Sequence, residues 1–184
     1  MNIQTPKRMT AEEFALWAER QELCRYELID GIVIQMNAER LVHARVKHRI
    51  TVVLEASLKK SGIIGEVYPD GIAVRISDKI VHEPDALLRL GPSLPDNTIL
   101  ILDPLVVVEV LSPSTGPVDT STKLANYFTV PNLAHYLVVN TTKRIVSHYT
   151  RGVDGQPVMK TVSAGEITLD PPGLTLRIDE FFAV

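Results

Sequence analysis

Two acidic residues of this chain are set into apolar runs where a carboxylate is costly. Glu109 interrupts Leu105-Val106-Val107-Val108-Glu109-Val110-Leu111, and Asp85 follows Pro84 in Glu83-Pro84-Asp85-Ala86-Leu87-Leu88. A carboxylate among valines is expensive to bury unless a cation, a metal or strong donors meet it. Two such groups on neighbouring strands offer the hard oxygen ligands that Mg²⁺ takes. The pair therefore points to a divalent-metal site for phosphodiester hydrolysis. The competing reading makes Asp85 the cap of a strand start and Glu109 the buried partner of a Lys or Arg. Along a strand the side chains alternate, so Val107, Glu109 and Leu111 share one face while Val106, Val108 and Val110 share the other. If the Asp85 strand pairs with the Glu109 strand, the carboxylates meet at one end of a sheet, where a bound ion would polarise a phosphate and activate water. The helix that begins near Asp119 carries Lys123, which can reach back to that phosphate or the attacking water and supply positive charge where negative charge develops. Its alternative is a solvated helix lysine.

The elements that must position these groups are readable from periodicity and turn chemistry. Thr10 and Glu13 form a capping box that opens a short helix with Phe14 and Trp17 on its apolar side, ending near Cys24. Tyr26-Glu27-Leu28-Ile29 and Ile32-Val33-Ile34, separated by Asp30-Gly31, read as a tight hairpin with Glu27 on its first strand. From about Glu39 to Lys60, Leu41, Val46, Ile50, Val53, Leu54 and Leu58 fall at helical spacing, with Gly62 as the stop. Strands are expected at 66–68, 72–76 and 84–89, then a turn-rich loop over 91–98. The apolar run 105–111 reads as a central strand covered on both sides. A helix over 119–130, stopped by Pro131 and carrying Leu124, Tyr127 and Phe128 inward, precedes strands at 134–139, 144–150, 158–162 and 174–178. The architecture is a mixed sheet with helices on both faces.

The 184 residues fit one domain, spanning 1–184, and a chain of that size buries about 70% of its unfolded surface. A formal charge of −3 weighs against simple nucleic-acid binding without excluding it, since a metal site brings its own cations and basic groups can cluster on one face. The single cysteine, Cys24, leaves neither an intramolecular disulfide nor a cysteine-based zinc site and suits a reducing cytoplasm. No stretch reads as a signal peptide or a membrane span.

These residues carry a resemblance. The series Tyr26-Glu27-Leu28-Ile29-Asp30-Gly31, His43, Glu83-Pro84-Asp85, Val108-Glu109-Val110-Leu111-Ser112-Pro113-Ser114-Thr115, Asp119, Lys123-Leu124-Ala125-Asn126-Tyr127 and Tyr136-Leu137-Val138-Val139 resembles the Uma-two family of bacterial proteins. That family is placed among the restriction-endonuclease-like, PD-(D/E)xK nucleases, and the resemblance runs from about Met9 to Phe182. It implies an α/β fold with a three-layer α/β/α core, a mixed central sheet, and an N-terminal helix plus β-hairpin. It also implies Mg²⁺ (or Mn²⁺) dependence and, often, a homodimer. Asp85 and Glu109 would be the metal carboxylates, and Glu27 a further acid of the site. One departure bears on activity. The usual motif places lysine two residues after the second acid, where this chain has Leu111, and an aliphatic side chain cannot orient water. Lys123, one helical turn before Tyr127, is the natural replacement. Asn140 stands where such proteins often show an acid.

Other candidates carry less. His43 is a candidate for a supporting role near the site, as is Tyr127, against the alternative of a satisfied helix histidine. His43 and His48 are five apart, which is not the spacing of a one-face metal pair. His82, just before Glu83-Pro84-Asp85, reads as an exposed strand residue, with a supporting role near the site as the alternative, and Ser112, Ser114 and Thr115 read as turn formers. No serine elbow, phosphate-cradling loop or dinucleotide fingerprint is present. The leading function is a Mg²⁺-dependent endonuclease acting on DNA. Its rival is a catalytically silent nuclease fold serving as a homodimeric binding or scaffold protein, which Leu111 and the acidic balance favour.

Overall fold

The chain enters its first helix, α1 (Ala11–Ala18), through the reciprocal cap: Thr10 Oγ1 accepts from the Glu13 amide at 3.2 Å and Glu13 Oε2 from the Thr10 amide at 3.0 Å. The computed structural model describes residues 8–22, 24–111 and 117–183, the side chains of 117–119 excepted. Ser112, Ser114, Thr115 and the Asp119 side chain therefore lie outside the described residues. The helix α1 stops at Ala18, short of the expected end near Cys24. The Trp17 and Ala18 carbonyls there accept tighter bonds from the Arg20 and Gln21 amides, and the Gln21 side chain also takes Trp17.

The hairpin forms as read, with β1 (Tyr26–Ile29) and β2 (Ile32–Gln35) joined by Asp30 and Gly31, both at positive φ as this turn requires. Next comes α2 (Leu41–Ser61), ended by Gly62 at φ 71°. The chain continues through β3 (Gly65–Pro69), β4 (Ala73–Ser77), β5 (Ile80–His82), β6 (Ala86–Leu90), β7 (Leu100–Ile101), β8 (Val106–Leu111) and α3 (Pro117–Tyr127). It finishes with β9 (His135–Asn140), β10 (Ile145–Arg151), β11 (Pro157–Val162), β12 (Glu166–Leu169), β13 (Leu174–Arg177) and α4 (Ile178–Phe181). Sequence patterning missed β5, β7, β12 and α4. Each is four residues or fewer, too short for a period to declare itself.

A six-stranded mixed sheet runs β11-β10-β9-β8-β6-β3, and a five-stranded sheet β2-β1-β5-β4-β7 lies beside it. The strand β8 is central, antiparallel to β6 and parallel to β9, with α3 in the crossover that a parallel pair needs. Its two faces feed two cores. Val106, Val108 and Val110 pack with Val46, Ile50 and Leu54 of α2, with Phe181 of α4, and with the β12–β13 hairpin. Val107 packs with Tyr127 of α3 and with Val74 and Ile101 of the second sheet. Helices thus cover both faces of the mixed sheet, as a restriction-endonuclease-like fold requires. No described helix is long and apolar enough to cross a membrane.

A buried histidine pair ties β9 to β10. His135 Nδ1 lies 2.9 Å from His148 Nε2, and His135 Nε2 lies 2.7 Å from the Pro171 carbonyl oxygen. Burial lowers both, with the neighbouring His135 adding to the fall of His148, which reaches about 4. Depressed folded values mean that the pair favours the folded state fully above the unfolded value, near 6.5. That contribution is lost as pH falls through the lowered folded values, about 4 for His148. Urea midpoints measured from pH 7.5 to pH 4.5 should fall more steeply for the wild-type protein than for His148→Gln. Parallel curves would show that the pair does not set the acid limb.

Candidate active site

The site is assembled where β6 and β8 lie side by side. Ala86 stands opposite Val108, so Asp85 falls one step beyond the end of β6. The Asp85 amide donates to the Val108 carbonyl at 2.9 Å, and Asp85 Oδ2 accepts from the Val110 amide at 2.5 Å. This fixes the Asp85 carboxylate beside the residue that follows Glu109. Asp85 Oδ1 is 2.6 Å from Lys47 Nζ, delivered from the inward edge of α2.

Glu109 points to the opposite face of β8, toward α3. There Lys123 Nζ lies 3.1 Å from Oε1 and 3.2 Å from Oε2, and the Tyr127 hydroxyl donates to Oε1 at 3.1 Å. Lys123 and Tyr127 reach the same carboxylate because they are one turn apart on α3. Lys123 Nζ is also 2.9 Å from Glu27 Oε1 on β1, and Glu27 Oε1 accepts from the Glu83 amide at 3.0 Å. One ammonium group therefore joins an acid of each sheet. Glu109 is in this sense the ion-pair partner that the competing sequence reading expected, and it also faces an open cavity.

That cavity, about 230 Å³, is lined by Glu27, Asp85, Glu109, Lys47, Lys123 and His43, and by Leu111. Its outer wall is the hairpin strand β2 and the residues just after it, Ile34 and Met36 among them. His43 is buried, and its Nδ1 has no hydrogen-bond partner among the described residues. His82 departs from the exposed position expected of it. It is 1% exposed, because β5 lies between β1 and β4, and its Nε2 pairs with Asn126 at 3.0 Å while Nδ1 lies 3.6 Å from Glu27. Asn140 ends β9 and accepts from the Lys143 amide.

Sequence reasoning missed Lys47. Besides Asp85 it meets Glu39 at 2.6 Å and Asp70 at 3.4 Å. The available signal was spacing, since position 47 falls with 43, 50 and 54 on the side of α2 that carries Ile50 and Leu54.

The electrostatics follow from counting. Four carboxylates on the cavity, Glu27, Glu39, Asp85 and Glu109, face three cations, Arg25, Lys47 and Lys123. Burial pushes Glu109 up to about 8, with Lys123 pulling it down and the charges of Asp85 and Glu27 adding to the rise. Burial raises Asp85 as well, against Lys47. Burial also works to raise Glu27, but His82 and Lys123 outweigh it and hold that carboxyl at about 2. Lys123 resists burial through Glu109 and Glu27 and stays firmly protonated.

A divalent ion fits this donor set. Among the described residues no three His, Cys, Asp or Glu side chains come together to hold a metal by themselves. Mg²⁺ needs no such cage, because it keeps several waters and takes one or two carboxylates plus phosphate oxygens. Asp85 and Glu109 offer two carboxylates on one cavity, and the uncompensated acid charge is the charge that a cation would relieve.

The raised Glu109 carboxyl has a sign to test. A folded value near 8 against an ordinary 4.5 favours the folded state below pH 4.5 and loses that contribution as pH rises through 8. Without metal, Glu109→Gln should melt at or above wild type at pH 8, with the difference shrinking toward pH 5. Lys123→Met should instead lose about 3–5 kcal/mol in urea titration, because it strands two buried acids. A large loss in Glu109→Gln would mark a purely structural ion pair.

The chain is similar to known proteins over most of its length. The Uma2 family, described as "Putative restriction endonuclease", matches residues 11–179. The uncharacterized protein slr1290 of Synechocystis sp. is 27% identical over 177 residues, covering 95% of this chain and 92% of that protein. A second uncharacterized protein of Synechocystis sp., sll1609, is 26% identical over 159 residues, 85% of this chain and 88% of that protein. Among solved structures, a "putative nuclease belonging to DUF820" from Anabaena variabilis superposes with a TM-score of 0.76 at 16% identity, covering 95% of this chain and 98% of that one.

Proposed function

Because the chain belongs to the Uma2 family, we propose that it is a Mg²⁺-dependent (or Mn²⁺-dependent) endonuclease that hydrolyses DNA phosphodiester bonds. One restriction-endonuclease-like domain across residues 1–184 would carry the activity, working as a homodimer in the cytoplasm. The observation that carries this reading is the convergence of Glu27, Asp85, Glu109 and Lys123 on one cavity.

Each residue named at the cavity has a role that its contacts support. Asp85 and Glu109 would hold the ion, which would supply polarisation of a phosphate oxygen and acidification of water. The Val110 amide fixes the Asp85 carboxylate in one orientation, and the Tyr127 hydroxyl does the same for Glu109. Lys123 supplies a fixed positive charge beside the reacting phosphate, where charge grows in the transition state. Glu27 positions that ammonium from the other sheet. His43 lines the cavity with an open ring nitrogen that can take a hydrogen bond from substrate or water. Lys123 thereby substitutes for the lysine that the motif would place at Leu111.

The rival reading, a silent nuclease-fold scaffold, is favoured by two observations. Leu111 stands where the motif lysine belongs, and Lys47 and Lys123 are both engaged by carboxylates.

Two measurements separate the readings. Calorimetric titration with Mg²⁺ and Mn²⁺ should show binding in the wild-type protein and its loss in Asp85→Ala and Glu109→Ala, with both variants still folded. Unchanged binding in both would remove the metal site. A plasmid-nicking time course should then show cleavage that Lys123→Ala abolishes while metal affinity stays nearly intact, since an ammonium stabilises charge and is no metal ligand. Lys123→Arg should rescue poorly, a planar fork being a poor copy of a compact charge. No cleavage of DNA or RNA by the wild-type protein with either metal would leave the scaffold reading standing.

A further inference from the structure

The helix that brings His43 and Lys47 to the cavity has a second side. From Arg40 to Leu54 the chain holds Arg40, Arg45, Lys47 and Arg49 together with His43 and His48, and no Asp or Glu, in a protein whose formal charge is −3. Lys47 is spent on Asp85 and Glu39, and Arg49 donates to the Glu180 carbonyl. Arg40, Arg45 and His48 are exposed, and among the described residues their side chains make no ion pair or hydrogen bond. Leu41, Arg45 and His48 stand at i, i+4 and i+7, which is one stripe along the solvent side of a helix. Exposed Leu41 and Val42 lie in the same two turns.

We infer that the solvent side of the first half of α2 is the surface on which the phosphodiester backbone of a nucleic acid docks, with Arg40, Arg45 and His48 gripping phosphates that flank the one admitted to the cavity. This deepens the reading given under Proposed function and rests on it for the identity of the polyanion. Three observations point the same way. The cations that line the cavity, Arg25, Lys47 and Lys123, are each already paired with carboxylates, so the charge that attracts a polyanion must come from outside it. The uncommitted cations nearest in sequence to the inward-facing His43 and Lys47 are those of α2 itself, less than two turns away. The buried His43 ring keeps Nδ1 unpartnered in a cavity that opens beside this helix, as expected of a group whose partner arrives with a ligand. A cationic stripe and an unmet acceptor or donor on two sides of one rigid helix would set the depth at which a strand sits.

The test reads binding apart from cleavage. Fluorescence anisotropy of a labelled duplex and of its single strand, each about 20 nucleotides long, is followed over a range of salt, with EDTA and with Ca²⁺ in place of Mg²⁺. The comparison is between wild type, Arg40→Gln/Arg45→Gln, and a matched control, Lys59→Gln/Lys60→Gln, which removes the same charge at the far end of α2. Melting curves verify that all three are folded. The expected result is at least a tenfold loss of affinity in the Arg40/Arg45 variant on duplex DNA, with the slope of log K against log salt reduced by about two, one counterion-releasing contact per arginine. The Lys59/Lys60 control should keep the wild-type slope. An Arg40/Arg45 variant that binds like wild type, an equal loss in the control, or a wild-type protein that binds neither form would overturn the inference. A wild-type protein that binds through Arg40 and Arg45 yet never cleaves would overturn the hydrolytic reading alone.

Discussion

Lys123 is the group on which the arrangement depends, because its ammonium is buried between two acids that belong to different sheets. Glu27 comes from the hairpin sheet, Glu109 from the centre of the mixed sheet, and the lysine itself from the helix over one face. None of the three charges is tolerable alone in that interior. Each acid by itself would be driven to protonate, and the ammonium by itself would be driven to release its proton. Together they fix how the hairpin sheet sits against β8. Lys47 does the equivalent work from α2, on the other face, for Asp85.

The alternation of β8 explains why two lysines from two helices are needed. Glu109 and Val107 face α3, while Val106, Val108 and Val110 face α2. Asp85 lies just past the end of β6 and folds back onto the Val110 amide, so its second oxygen is left toward α2. A carboxylate pair, one on β8 and one just past the end of β6, is in this way held from opposite layers. The layers are consequently locked in register by charge as well as by packing. The cost is the uncompensated acid that lifts Glu109 to about 8.

Much of this was legible in the residues. Asp85 and Glu109 announced themselves because polar groups inside apolar strands need a reason, and Asp30-Gly31 marked the hairpin because few residues accept two positive φ angles in succession. Lys123 followed from the helix after β8. The sequence hid Lys47, since a lysine on an amphipathic helix reads as solvent-facing until its phase against His43, Ile50 and Leu54 is counted. It hid His82 as well. Burial of that ring is decided by β5 slotting between β1 and β4, a pairing that joins residues far apart in the chain through a strand of three residues. Two-residue and four-residue strands such as β7 and β12 are made by their neighbours, and no local period records them.

The outer wall of the cavity has a different genetic status from its floor. The floor is built of charges that hold one another, so a single change there disturbs several partners. The wall is β2, which has a strand neighbour on only one side, and the residues after it, where Ile34, Gln35 and Met36 meet no ion pair among the described residues. Substitutions along that edge can widen, narrow or reshape the opening while leaving the acids and lysines untouched. Diversification of what the cavity admits is therefore cheap in this architecture and diversification of its chemistry is not. Descendants of such a chain would be expected to vary first along the rim.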